Sequence, residues 1–279
     1  MLIGATGFIG AVIQRRLDAE SIPTLALGSN DLDLLDSAAS DRLAEIVRPD
    51  DSVVMLSALT PDKGRDITTL MENLVMMQAV CQSLDKSGCG HLVYFSSDAV
   101  YETEVSRVTE ETPTSPKDLY GTMHYTREIM ARSLAEIPVL LLRPSIVYGL
   151  DDTHNSYGPN RFRRTAKKDG KITLFGDGEE MRDHVHVDDV AALAVLCLLH
   201  KSTGTLNIAS GNSKSFYEIA EITAKQFDNS IEISTTPRNN PILHRHYGVT
   251  NLIKAFPKFG FMTPEEGIAR VHKESMEQA

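Results

Sequence analysis

Met1-Leu2-Ile3-Gly4-Ala5-Thr6-Gly7-Phe8-Ile9-Gly10 opens the chain, and its reading decides the fold. The first three residues are the stub of a strand, and Ala11 to Ala19 reads as an amphipathic helix with Val12, Ile13 and Leu17 on one face. Strand, glycine turn and helix in that order are the context that a dinucleotide-binding turn requires. Gly4 permits the tight turn, Gly7 lets the backbone approach a pyrophosphate, and Gly10 lets helix and strand pack closely. The N–H groups and positive dipole end of the helix then face the phosphates. A strand-to-helix turn with no ligand is the plainer alternative, and the rest of the chain has to decide. The first strand is short, for which a start set slightly late or a natural truncation is the expected reason.

Working outward, Thr24 to Gly28 reads as the second strand. It ends in Gly28-Ser29-Asn30 with no acid to bond an adenosine ribose, so NAD and NADP both stay open. Arg15 or Arg16 could in principle reach a 2′-phosphate. Asp36 is the expected cap of a helix over Ser37 to Val47. Val53 to Ser57 is a buried-type strand, so strand and helix alternate and a parallel sheet follows. Met71 to Leu84 reads as a long helix serving core or subunit interface. His91 to Phe95 is another buried strand, and Ser96-Ser97-Asp98-Ala99-Val100-Tyr101 follows at its carboxyl end, where parallel sheets bind ligands. Beyond Pro113 and Pro116, Leu119 opens a helix reaching about Ala135. Tyr120 and His124 are four residues apart and share one face of it. Taken alone, the pair reads first as helix packing.

Composition narrows the function. Of 279 residues, 42% are hydrophobic and 24% charged, the balance of an ordinary globular protein. A formal charge of -10 argues against nucleic acid or an anionic membrane as the main partner, though not against an anion held locally. Cys81, Cys89 and Cys197 are odd in number and lack metal-ligand spacing, so free thiols in a reducing compartment are expected. The most apolar run, Val190 to Leu199, is far short of the roughly 20 residues that span a bilayer. The N-terminus has no basic n-region and does not read as a signal peptide. A cytoplasmic protein is expected.

Five blocks together carry a resemblance. GATGFIG, SSDAVY, the Tyr120 helix, LLLRPSIVYG and LFGDGEEMRDHVHVDDVA resemble, in order and spacing, the extended short-chain dehydrogenase/reductase family and its nucleotide-sugar epimerases and dehydratases. The resemblance implies an α/β fold: a Rossmann-type doubly wound parallel sheet over 1–150, with 184–210 returning to it. A smaller C-terminal α/β substrate lobe is expected over 151–183 and 211–279. It also implies that Ser97 hydrogen-bonds a substrate oxygen while Tyr120 takes and returns its proton. NAD or NADP, with NAD favoured, is expected against Gly4, Thr6, Gly7, Phe8, Ile9, Gly10, Ser29, Asp33, Leu34, Ser57, Ala58, Leu59, Asn73, Ser96, Tyr120, His124, Pro144 and Ser145. A nucleotide sugar is expected against Ser97, Asp98, Asn160, Thr173, Phe175, Arg182 and Arg238, the two arginines on its diphosphate. A salt bridge to Glu180 or Asp183 is the structural alternative for Arg182. Family members pair through the helices near 71–84 and 120–135, so a homodimer is implied.

The chain also departs from the family pattern. The residue four after the tyrosine is normally a lysine that binds the nicotinamide ribose and lowers the tyrosine pKa. Here it is His124. Unperturbed tyrosine and histidine titrate near ~10 and ~6.5, so His124 is mostly neutral at pH 7 unless an anion holds its proton. Three readings stay open: His124 replaces the lysine, Arg127 or another residue supplies the charge, or the protein binds its ligands without turnover. Asp98 is followed by Ala99, so the acid–base pair of the dehydratases is incomplete, as is the cysteine of members that epimerise at carbons 3 and 5. Ile146 replaces a sugar-contacting asparagine, and Asn240-Pro241 lacks an acid that often bonds the ribose. Oxidation and reduction at one carbon, as in a 4-epimerase, needs only Ser97, Tyr120 and the cofactor. An NADPH-dependent 4-ketoreductase and a non-catalytic NAD(P) sensor are the alternatives. His184 and His186 alternate on a probable strand with no third ligand, so no metal site is expected. Asp188 and Asp189 are expected to cap the following helix, Ser215 another, and Pro264 to start the last.

Overall fold

Short apolar runs separated by helices pair in parallel, because each helix returns the chain to the same end of the sheet. A computed structural model describes every residue except Asn229 and Ala279, and the chain divides into two compact units. The first comprises Met1–Thr103, Thr112–Pro144 and Val190–Ile208. Its strands are β1 (Leu2–Ile3), β2 (Ala26–Leu27), β3 (Ser52–Met55) and β4 (His91–Phe95), followed by Val139–Pro144 and Gly204–Ile208. In space they run Gly204–Ile208, Val139–Pro144, β4, β3, β1, β2, and every pair is parallel. β1 stands between β2 and β3. The chain therefore winds first to one side of β1 and then to the other, which makes this a doubly wound α/β sheet with its switch point at the carboxyl end of β1.

Period-2 alternation shows that both faces of this sheet are covered. Ile3, Val53, Met55, Leu92, Tyr94 and Leu141 join one apolar cluster with the helices α2 (Ala39–Ile46) and α3 (Ile67–Ser87). Leu2, Val54, Val93, Leu140 and Leu142 point the other way and are equally buried. α1 (Phe8–Ala19) buries the Val12, Ile13 and Leu17 face expected of it.

Boundaries moved where local hydrogen bonding outweighed pattern. α3 begins at Ile67, a turn before the expected Met71, because Asp66 accepts from the Thr69 N–H. α2 begins at Ala39, and Asp36 does not cap it: the Asp36 carboxylate accepts from Ala38 N–H at 2.9 Å and pairs with Arg42 at 2.6 Å. The Tyr120 helix, α4, runs Leu119–Arg132 with Asp118 as its cap. The expected second strand shrinks to Ala26–Leu27, the two residues that find partners in β1.

The second unit comprises Glu104–Glu111, Ser145–Asp189 and Ala209–Ala279. Glu104–Glu111 belongs here because Arg107–Val108 pairs in parallel with His246–Tyr247. Ile146–Tyr148 pairs with His184–His186, and Lys171–Phe175 with Glu232–Thr236. α5 (Pro159–Asp169) packs Phe162 and Ala166 with Tyr148, Leu174, Phe216 and Ile268 in this unit's own core. Ser215 and Thr263 each form a capping box, the second just before Pro264. Asp188 and Asp189 lie in the first turn of Val187–Leu199. Their carboxylates bond elsewhere, Asp188 to Arg270 at 2.6 Å and Asp189 to the Met262 N–H at 2.8 Å.

Candidate active site

At the switch point the glycines leave a cradle that side chains would fill. Gly4 has φ +91°, and a Cβ on Gly10 would lie 2.2 Å from the Gly4 carbonyl oxygen. Gly7 is the N-cap of α1, with no side chain capping it, so the first N–H groups of the helix face outward with the positive end of the dipole. Thr6 packs over Gly28, whose Cβ would meet Thr6 Cγ2 at 2.7 Å. Phe8 and Ile9 are half-buried. This arrangement fits a dinucleotide pyrophosphate, which needs backbone donors and close approach. Ser29 is exposed beside β2, Leu34 is buried, and Asp33 accepts from the Leu35 N–H. The acid that reaches the end of β2 is Asp31, which accepts from the Gly28 N–H at 2.8 Å. Sequence reading passed over it because it stands three residues beyond the strand.

Around the end of β3, Asn73 clasps the loop. Its Oδ1 accepts from Leu59 N–H, and its Nδ2 donates to the Leu59 and Thr69 carbonyls, each at 2.9 Å. Ser57 lies against Gly4, Ala58 follows it half-buried, and Leu59 lines a cavity of about 170 Å³ with Asn73, Asp118, Tyr120 and Met123. Ser96, at the end of β4, donates to Glu128 at 2.6 Å. Pro144 ends its strand, paired with Ile208. Ser145 begins the second unit, where it donates to Asp183 at 3.2 Å.

Ser97 and Tyr120 come together because Gly121 allows it. A Cβ on Gly121 would lie 2.3 Å from the Ala99 carbonyl oxygen, so only glycine lets α4 lie against the Asp98–Val100 turn. Ser97 starts that turn by accepting from Ala99 N–H at 3.2 Å, and lies 3.5 Å from Asp98. Burial pushes the Tyr120 hydroxyl up to about 12, while its hydrogen-bonding interaction with Ser97 draws it down. Asp98 and Asp118 add to the rise, and Arg127 opposes it.

His124 is 3% exposed. Its Nδ1 shares a 2.8 Å hydrogen bond with the Tyr94 hydroxyl, its Nε2 has no partner, and its ring meets that of Tyr120 edge-on at 4.7 Å. Burial, and then Arg127, push it down to about 3, so the imidazole is neutral at neutral pH. Arg127 is fully buried and donates to the Ser57 carbonyl at 2.8 Å and to Asn73 Oδ1 at 3.4 Å.

The second unit gathers most of the expected sugar-nucleotide residues at one place. Glu180 accepts from Arg238 at 2.8 Å and is also paired with Arg182. Arg182 further donates to the Met181 and Leu243 carbonyls, and Arg238 to the Phe175 carbonyl at 3.0 Å. The half-exposed Phe175 ring lies 5.0 Å from that of Tyr157, whose hydroxyl accepts from the Phe175 N–H at 3.0 Å. Thr173, on the same strand, reaches Ser234 at 3.4 Å. The Arg182–Glu180 pair is the salt bridge named as the alternative for Arg182, whereas its sharing with Arg238 and the place of Tyr157 do not show without the pairing of Lys171–Phe175 and Glu232–Thr236. Asn160 turns inward, accepting from Gly149 N–H at 3.1 Å and donating to the Val147 carbonyl at 3.3 Å.

His184 and His186 do alternate on one strand, both buried. Burial, and next Arg182, push His184 down to about 3. Among the described residues no group of three His, Cys, Asp or Glu could hold a metal, and no helix is long and apolar enough to cross a membrane.

A glycine cradle at the switch point of a doubly wound sheet, with a serine and a tyrosine at neighbouring strand and helix ends, defines an enzyme class that handles nucleotide cofactors. The sequence model of the NAD dependent epimerase/dehydratase family matches residues 1–209, and the chain belongs to that family. Among curated relatives, the dTDP-4-dehydro-6-deoxy-D-allose reductase of Streptomyces bikiniensis is 26% identical over 265 residues, covering 80% of this chain and 79% of that protein. The UDP-glucose 4-epimerase of Lactobacillus helveticus is 26% identical over 282 residues, covering 85% and 84%. Among solved structures, the UDP-N-acetylglucosamine 4-epimerase of Methanobrevibacter ruminantium M1 in complex with UDP-N-acetylmuramic acid superposes with TM-score 0.86 at 21% identity, covering 100% and 98%.

Proposed function

We propose that the chain is an NAD-dependent nucleotide-sugar 4-epimerase. The observation that carries this reading is the Ser97–Tyr120 pair beside the glycine cradle, with Ala99 in place of a second acid. Such a pair can move one hydroxyl proton and cannot also expel water. The Gly4–Gly10 turn, the α1 N-terminus and the Ser57–Leu59 loop would hold the dinucleotide. When bound, its nicotinamide supplies removal of hydride from the sugar carbon and its return. Ser97 orients the 4-hydroxyl oxygen and Tyr120 withdraws its proton as the carbonyl forms. After the keto-sugar turns over, Tyr120 gives the proton back, so the sugar is inverted with no net change in oxidation state. Phe175 and Thr173 would lie along the base, and Arg182 and Arg238 would exchange Glu180 for the diphosphate.

Asp31 supports NAD over NADP, because a carboxylate at the end of β2 repels a 2′-phosphate. Ile67, Met71 and Val75 are exposed at successive i+4 positions of α3. This stripe supports a homodimer through α3 and α4, and light scattering at monomer mass would argue against it. The three free cysteines suit a cytoplasmic setting. The activity is tested by supplying UDP-, dTDP-, GDP- and CDP-sugars with NAD+ or NADPH. Reversible 4-epimerisation with catalytic NAD+ is expected, and net NADPH consumption would overturn it in favour of a ketoreductase.

A further inference from the structure

Tyr120 has to give up its proton in a setting that resists ionisation. Burial holds it high, and two carboxylates, Asp98 on the turn after β4 and Asp118 at the start of α4, act in the same direction. His124 stands beside it as a neutral ring. The cation among the groups acting on Tyr120 is Arg127, and its surroundings are unusual. It is fully buried, its Nε has no partner, and among the described residues no carboxylate pairs with it. Its neighbours are the Ser57 carbonyl, Asn73 Oδ1, Met123 Sδ at 3.8 Å and the face of Tyr94 at 5.1 Å. Its guanidinium is left without a counter-ion among the described residues.

We propose that Arg127 supplies the positive charge that stabilises ionised Tyr120, while His124, fixed by Tyr94, serves only as a hydrogen-bond donor. Two tasks that a single lysine would combine are thus divided between two side chains on successive turns of α4. Tyr94 is held protonated by burial, so its hydroxyl can donate to Nδ1, the direction proposed here. That bond places the imidazole hydrogen on Nε2, the ring atom left without a partner, ready for a hydroxyl acceptor. Arg127 acts through Tyr120 and is a positioning residue of electrostatic kind. The titratable or charged groups around the pair are Asp98, Asp118, Tyr94, His124, Glu128 and, on α3, Cys81.

This inference rests on the reading of Tyr120 as the proton carrier, and its test does not depend on turnover. Carbon-13 NMR of tyrosine-ζ-labelled full chain with NAD+, Tyr120 being assigned through Tyr120→Phe, gives the midpoint of its ionisation. Arg127→Met is expected to raise that midpoint by about one pH unit, whereas Arg127→Lys leaves it nearly unmoved. Adding His124→Lys to Arg127→Met is expected to bring the midpoint back. An unchanged midpoint in a folded Arg127→Met would reduce Arg127 to a staple between α4, Ser57 and Asn73, and Arg127→Gln is the second neutral variant if the first does not fold. The wild type needs no variant: a His124 ring signal that titrates between about pH 6 and 7 would make imidazolium the cation and overturn the proposal. Should no nucleotide sugar turn over while the Tyr120 midpoint still follows Arg127, the inference stands and the epimerase reading falls. If NAD+ fails to bind in calorimetry, the same titration is read on the free protein.

Discussion

Two arginines are buried near α4, and they are treated in opposite ways. Arg143 is neutralised: Nε and Nη2 reach the two Glu128 oxygens at 2.8 and 2.5 Å. Its guanidinium covers the Tyr101 ring at 4.7 Å, and the Tyr101 hydroxyl continues the chain to Asn207 at 2.7 Å. Arg127, next to Glu128 in sequence, also lies over a tyrosine ring, that of Tyr94 at 5.1 Å, but among the described residues no carboxylate pairs with it. Consecutive helix residues point about 100° apart, so Glu128 faces the Val139–Pro144 strand while Arg127 faces the ends of β3 and α3. The difference separates fold from chemistry. A paired buried charge ties two elements together, whereas an unpaired one projects a field, here onto Tyr120.

Breaking the paired side should do the greater damage. Glu128→Ala leaves Arg143 buried and uncompensated, and a loss of ~3–5 kcal/mol in urea unfolding is expected. Arg127→Met should do the converse. Removing an unneutralised buried charge is expected to change stability by less than about 1 kcal/mol, or to raise it. Turnover at neutral pH should fall roughly tenfold, one decade for each unit of Tyr120 pKa. Equal destabilisation by the two variants would erase the distinction.

Much of the fold was legible before any of this. The glycine turn and the β4 strand were read at or near their observed bounds, because apolar runs flanked by turn residues leave few alternatives. Asp36 was misread because an aspartate two residues before a free N–H closes a turn as readily as it caps a helix. In the candidate site, Ser97 and Tyr120 stood out only through the family resemblance of the SSDAVY block and the Tyr120 helix that hold them. The state of His124, the missing counter-ion of Arg127 and the sharing of Glu180 by Arg182 and Arg238 could not be read even so. Each depends on residues far away in the chain: Tyr94, Ser57 and Asn73, and the Phe175 strand.

Acid sensitivity sharpens the contrast further. His124 and His184 are each pushed down to about 3 in the folded chain, whereas an unfolded histidine binds its proton near ~6.5. Below that pH the unfolded state holds more protons, so stability is full above ~6.5 and is lost as pH falls toward the folded values. Each histidine contributes about 1.4 kcal/mol per pH unit of slope. Urea midpoints between about pH 4 and 7 should therefore fall with acid, less steeply in Arg127→Met, where a cause of the His124 depression is gone. The smallest effect is expected at the exposed Asp31. Asp31→Asn should leave stability unchanged and narrow the NAD-over-NADP preference several-fold in calorimetry, and an unaltered preference would remove Asp31 from cofactor choice.

The central claim is that Ser97 and Tyr120 move one proton at a carbon whose hydrogen leaves and returns. It is tested most directly by proton NMR of a UDP-, dTDP-, GDP- or CDP-sugar incubated in heavy water with the full chain and catalytic NAD+. A 4-epimer that keeps its original C4 hydrogen, formed by the wild type and lost in Tyr120→Phe, is the predicted result. Exchange of that hydrogen with solvent, or a Tyr120→Phe variant as active as the wild type, would contradict it.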